Sequence, residues 1–100
     1  MAKIVETLEQ FEQEVASGKT VVDFYADWCG PCKMLGPIFE QVSTETEGVN
    51  FIKVNTDLLP EVADRFEVRS IPTIIKLENG NEANRFVGLM GKDQLKTFAQ

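Results

Sequence analysis

Val21-Val22-Asp23-Phe24-Tyr25-Ala26-Asp27-Trp28-Cys29-Gly30-Pro31-Cys32-Lys33 is the stretch on which the fold turns. Its first half, Thr20 to Ala26, is β-branched and aromatic, a composition that suits a packed, pleated surface. The run is apolar almost throughout instead of alternating, which predicts a central strand buried on both faces. Asp23 is the one charge inside it. Either that carboxylate reaches solvent, the ordinary fate of Asp, or it is buried with a raised pKa. Beyond Ala26 the pattern changes. Pro31 suits the first turn of a helix, where its missing N–H would have been unpaired anyway. Met34, Leu35, Ile38, Phe39 and Val42 then continue an apolar stripe at helical spacing. We expect this helix to stop at Gly48 and to kink at Gly36-Pro37, because Pro removes a backbone bond and crowds the preceding turn. A strand ending where a helix begins is the carboxyl-edge position at which reactive groups gather in α/β sheets.

Working outward, Thr7 and Gln10 have the spacing of a capping box. Leu8, Phe11 and Val15 recur at helical spacing until Ser17 and Gly18, after a brief strand around Ile4 and Val5. Downstream, Asn50 to Asn55 sets Phe51 and Lys53 against Ile52 and Val54 and reads as a strand. Pro60 to Phe66, with Leu59, Val62 and Phe66 in step, reads as a short helix. Thr73 to Leu77 and Ala83 to Val87 read as strands of an antiparallel hairpin, signalled by Asn79-Gly80. Asp93 to Gln100, with Leu95 and Phe98, closes the chain as a helix. The order βαβαβαββα predicts an α/β fold, a central five-stranded mixed sheet flanked by four α-helices, in a single domain over residues 1–100.

Composition narrows the chemistry. The chain is 43 % hydrophobic and 26 % charged, ordinary for a folded domain. A formal net charge of −6, with no sequence cluster of basic residues, argues against a nucleic-acid partner. The first ten residues hold no apolar block flanked by positive charge, so a cytoplasmic protein is expected. No apolar stretch approaches the ~18 residues that cross a bilayer, so no membrane role is expected. Histidine is absent, which removes the commonest general base and metal ligand. A zinc or iron–sulfur site wants about four ligands and only 2 cysteines are present. We therefore expect no metal and no bound cofactor.

The chemistry left is that of Cys29 and Cys32. At a helix N-terminus the Cys29 sulfur meets unpaired N–H groups and the positive end of the helix dipole. Taking a thiol from about 8.5 to about 7 raises its ionised fraction roughly 16-fold at pH 7, but lower nucleophilicity returns about 6-fold. Proximity therefore does more: Cys32, one helical turn away, resolves a mixed disulfide intramolecularly. Gly30 and Pro31 fix the spacing. A purely structural disulfide is the competing reading, but so short a loop contributes only about 2 kcal/mol, and cytosolic disulfides seldom persist. Trp28 is either core or a flat contact surface beside the thiols, and Lys53 either solvated or an electrostatic partner of Asp23.

These residues resemble the thioredoxin family over essentially the whole chain. The likeness rests on Val21-Val22-Asp23-Phe24-Tyr25-Ala26 leading into Trp28-Cys29-Gly30-Pro31-Cys32-Lys33, and on Pro37, Lys53, Ile71-Pro72-Thr73 and Gly88, in order. It implies an exposed nucleophile at Cys29, a shielded resolving thiol at Cys32, and a proton relay at Asp23. It implies a cis bond before Pro72, with the Ile71 backbone pairing to an extended substrate and Gly88 leaving room for it. It implies disulfide-containing protein substrates, and regeneration by a flavin- or ferredoxin-dependent thioredoxin reductase. Gly-Pro between the cysteines is the variant associated with reduction, so we expect a general protein-disulfide reductant, acting as a monomer. An oxidant or isomerase, or a binding module independent of turnover, are the rival functions. Tyr25 stands where many bacterial relatives carry Trp. Gly36 stands where a better helix former is commoner, at a cost of roughly 0.5 to 1 kcal/mol.

Overall fold

A computed structural model describes residues 1–100. Strands β1 (Lys3–Val5), β2 (Lys19–Tyr25), β3 (Val49–Asn55), β4 (Thr73–Glu78) and β5 (Asn81–Val87) alternate with helices α1 (Leu8–Val15), α2 (Gly30–Glu45), α3 (Pro60–Arg65) and α4 (Lys92–Ala99). They form one sheet in the order β1-β3-β2-β4-β5. β3 runs parallel to β1 and β2, whereas β4 is antiparallel to both β2 and β5. This is the expected βαβαβαββα order and mixed sheet.

Side-chain alternation divides the core in two. Val22, Phe24, Ile52, Val54 and Ile75 pack with Phe11 and Val15 of α1 and Val62 of α3 on one face. Val21, Phe51 and Ile74 pack with Leu35, Phe39 and Val42 of α2 and Leu95 of α4 on the other. Both faces of β2 are thus covered, which is why its apolar run does not alternate. Asp23 shares the α2 face by parity with Val21, in a strand whose neighbours on both sides are other strands.

Local signals set most boundaries. The Thr7 hydroxyl accepts from the Gln10 N–H, while the Gln10 side chain accepts from the Glu6 N–H, one residue earlier than an ideal capping box. Asn79 and Gly80 both have positive φ, 52° and 84°, as a two-residue hairpin turn of matching twist requires. Two expectations are corrected. α2 ends at Glu45, not Gly48, because Thr46 is already extended; Thr44, Glu45, Glu47 and Gly48 are exposed, and no apolar contact holds another turn. β5 starts at Asn81, not Ala83. The polar Asn81 and Glu82 pair with Glu78 and Leu77, and Ala83 is the extra residue of a bulge. α2 continues through Pro37, which has no N–H to give the preceding turn.

Candidate active site

Register assembles the site at one edge of the sheet. Tyr25, the last residue of β2, pairs with Asn55, the last of β3. Thr73, the first of β4, pairs with Phe24 on one side and with Val87, the last of β5, on the other. The segments leaving these strands therefore converge: Ala26 to Cys32 after β2, Thr56 and Asp57 after β3, Ile71-Pro72 before β4, and Gly88 after β5.

Cys29 is the N-cap of α2, and its sulfur accepts a hydrogen bond from the Cys32 N–H at 3.2 Å. Gly30 and Pro31 form the first turn. The two cysteines are joined in a disulfide with Cα atoms 5.2 Å apart. They pack with Ala26, Tyr25 and Ile71 in a small cluster. The expected contrast between an exposed Cys29 and a shielded Cys32 is not seen: in the disulfide they are 4 % and 5 % exposed. Cross-linking holds both sulfurs against the same cluster. Their positions differ all the same, since only Cys29 lies against the Ile71 carbonyl oxygen, 3.8 Å away.

The Ile71-Pro72 bond is cis. Neither the N–H nor the C=O of Ile71 bonds to the protein backbone, while the Gly88 N–H donates to the Pro72 carbonyl at 2.8 Å. Gly88 has φ 113° and open space where a Cβ would stand. Trp28 is 71 % exposed, so it is a surface and not core, and its indole N–H donates to Asp57 at 2.9 Å. Asp57 is set in turn by the Asn55 side chain, which accepts from the Asp57 N–H. Sequence reading missed Asp57 and Asn55, because the bond to Trp28 crosses strands with nothing local to announce it.

Asp23 is fully buried and neither carboxyl oxygen has a hydrogen-bond partner. Burial pushes its pKa up from 3.8 to about 7, with the Lys53 charge pulling the other way. Lys53 is its register partner on β3. Tyr25, Ala26, Asp27, Cys32, Lys33, Gly36 and Lys53 line a cleft of about 270 Å³ beside the disulfide. No group of three or more His, Cys, Asp or Glu side chains is placed to hold a metal ion.

Comparison with known proteins agrees with this arrangement. The family model described as Thioredoxin matches residues 2–100. The thioredoxin of Mycoplasmoides gallisepticum is 49 % identical over 78 residues, covering 78 % of each chain. The chain belongs to the thioredoxin family. The thioredoxin of Chlamydia muridarum is 45 % identical over 95 residues, 95 % of this chain and 92 % of that one. Among solved structures, thioredoxin of Malassezia sympodialis superposes with a TM-score of 0.90 at 33 % identity, covering 99 % of this chain and 88 % of that one. The solution structure of oxidised thioredoxin from Plasmodium falciparum gives a TM-score of 0.90 at 32 % identity, with full coverage of both chains. The fold is thus the thioredoxin fold, and the chain is a protein-disulfide oxidoreductase working by dithiol–disulfide exchange at a Cys-x-x-Cys pair. No helix is long and apolar enough to cross a membrane.

Proposed function

We propose that this chain is a general reductant of protein disulfides, a single-domain monomer working in the cytoplasm. The Cys29 thiolate attacks one sulfur of a substrate disulfide, forming a mixed disulfide and releasing the other substrate sulfur as a thiolate. Cys32 gives its proton to Asp23 and attacks the Cys29 sulfur. The second substrate sulfur leaves and takes up a proton, and Cys29 and Cys32 are left joined. The substrate gains two electrons and two protons, one from Cys32 by way of Asp23 and one taken from water by the thiolate released first, and a flavin- or ferredoxin-dependent thioredoxin reductase returns two electrons to the pair.

The observation that carries this reading is the Cys29–Cys32 disulfide at the N-terminus of α2, together with a buried, unpartnered carboxyl, Asp23, on the strand that leads into it. A sulfur that caps a helix is stabilised as a thiolate by the Cys32 N–H and the helix dipole. A carboxyl titrating near neutral pH is matched to taking and returning a proton there. Lys53 biases that carboxyl toward its charged form. Trp28, Gly30 and Pro31 offer a contact surface, and the unpaired backbone of Ile71 beside cis-Pro72 offers main-chain hydrogen bonds to an extended substrate, with Gly88 leaving clearance.

The test is trapping. Cys32→Ser should accumulate a mixed disulfide with a disulfide-bearing substrate protein, resolved on non-reducing gels, whereas Cys29→Ser should trap none and lose reductase activity. Equal trapping by both variants, or by Cys29→Ser alone, would reverse or remove the assigned roles.

A further inference from the structure

Lys53 stands at the register position beside Asp23, yet neither Asp23 oxygen accepts a hydrogen bond from it or from any other group. The reason lies two residues along β2. Asp23 and Tyr25 project to the same face of the strand, and the Lys53 ammonium sits over the Tyr25 ring, 4.8 Å from its centroid. That is well within the ~6 Å at which a ring face attracts a cation. On the α2 side stands Gly36, where an added Cβ would lie 3.9 Å from the Lys53 Nζ. A methyl there would meet the ammonium at ordinary contact distance, so Gly36 borders the Lys53 head without displacing it. One cation thus has two available partners, an aromatic face at the cleft and a buried carboxyl, and it occupies the first.

We propose that Tyr25 is a positioning residue whose ring holds the Lys53 ammonium off Asp23, so that the buried carboxyl is left without a hydrogen-bonded counter-ion. This rests on the relay role given to Asp23 above and says what tunes it. A carboxyl paired closely with Lys53 would be a poor proton acceptor for Cys32, since its charged form would persist far below neutral pH. The other charged groups lining the cleft are Asp27, in the turn after β2, and Lys33 of α2, while Cys32 is held in the disulfide. β4 sets the apolar Ile74 against Asp23. Of the two lysines at the cleft, Lys53 is the one whose charge acts on Asp23, so its placement decides the local balance.

The experiment follows the Asp23 carboxyl by carbon-13 NMR of the oxidised protein across pH. In Tyr25→Leu the ammonium is released to Asp23, and its titration midpoint should fall by about one pH unit or more, because an opposite charge within ~4–6 Å lowers a carboxyl by ~1–3. Tyr25→Phe keeps the ring face and should titrate as the wild type does. In a Lys53→Met background, Tyr25→Leu should produce no lowering. Where Tyr25→Leu does not fold, Tyr25→Met fills the space with an unbranched chain and carries the same expectation. A midpoint that stays or rises in Tyr25→Leu overturns the proposal, as does an equal fall when Lys53 is absent. The relay role is tested apart from this: an unchanged rate of mixed-disulfide resolution in Asp23→Asn removes the relay, whatever the titration shows.

Discussion

Replacing Asp23 with Asn should change stability by an amount that depends on pH, and the dependence can be worked from the structure. Asn keeps the shape of the side chain and removes only its ionisation. In the folded chain the carboxyl is fully buried and unpartnered, and burial raises its pKa from 3.8 to about 7. Between those values the unfolded chain has released this proton and the folded chain has kept it. Stability falls with rising pH wherever the unfolded state binds fewer protons. The wild type should therefore be fully stable with respect to this group below about pH 4, and should lose stability through the neutral range until Asp23 is ionised in both states. At about 1.36 kcal/mol per pH unit, the loss by pH 8 is on the order of 4 kcal/mol. The buried Asn amide carries its own desolvation cost of ~1–3 kcal/mol, but that cost does not titrate. The quantity to read is accordingly the difference between Asp23→Asn and wild type at pH 8, minus the same difference at pH 4. Urea unfolding of both oxidised proteins across this range measures it. A gain growing by several kcal/mol toward pH 8 is expected. A constant offset between the two unfolding curves would refute the burial of an unpaired carboxyl.

Two further outcomes follow from local structure. Thr7→Ala removes the acceptor that satisfies the Gln10 N–H at the start of α1 and should cost about 1 kcal/mol in denaturant unfolding; no measurable loss would mean that Gln10 and Glu6 hold the turn alone. Gly80→Val forces a β-branched residue to φ 84°, with its Cβ 3.5 Å from the Val15 carbonyl. It should cost on the order of 1–3 kcal/mol without altering disulfide exchange, and a lost exchange activity would show that the hairpin reaches the site.

The fold was legible because strong patterns are local. Apolar periodicity, the Thr7 cap, the Asn79-Gly80 turn and Pro31 each declare an element within a few residues. The unbroken apolar run of β2 also declares that both its faces are covered. Boundaries were less legible where polar residues lie in regular structure, as at Asn81 and Glu82, or where an exposed segment such as Thr44 to Gly48 gives packing nothing to hold. The reactive pair was legible from spacing and from its place at a strand-to-helix junction. What surrounds it was not. That Lys53 faces Asp23, that Lys53 stacks on Tyr25, and that Asp57 receives the Trp28 N–H are all set by strand register across long sequence separations. Tyr25 and Gly36 stood out in the sequence as departures from the commoner residue. Only the geometry shows that both border the same ammonium.

The claim that this chain is a reductant is tested most directly by its redox equilibrium against a series of glutathione buffers, read by Trp28 fluorescence and checked by thiol alkylation. A reductant's disulfide resists reduction, so about nine-tenths or more of the protein should remain oxidised in a buffer poised near −200 mV, with reduction only tens of millivolts lower. A pair already half reduced in that buffer would contradict the assignment and make the chain an oxidant or isomerase. No reversible exchange at any poise would leave only a binding role.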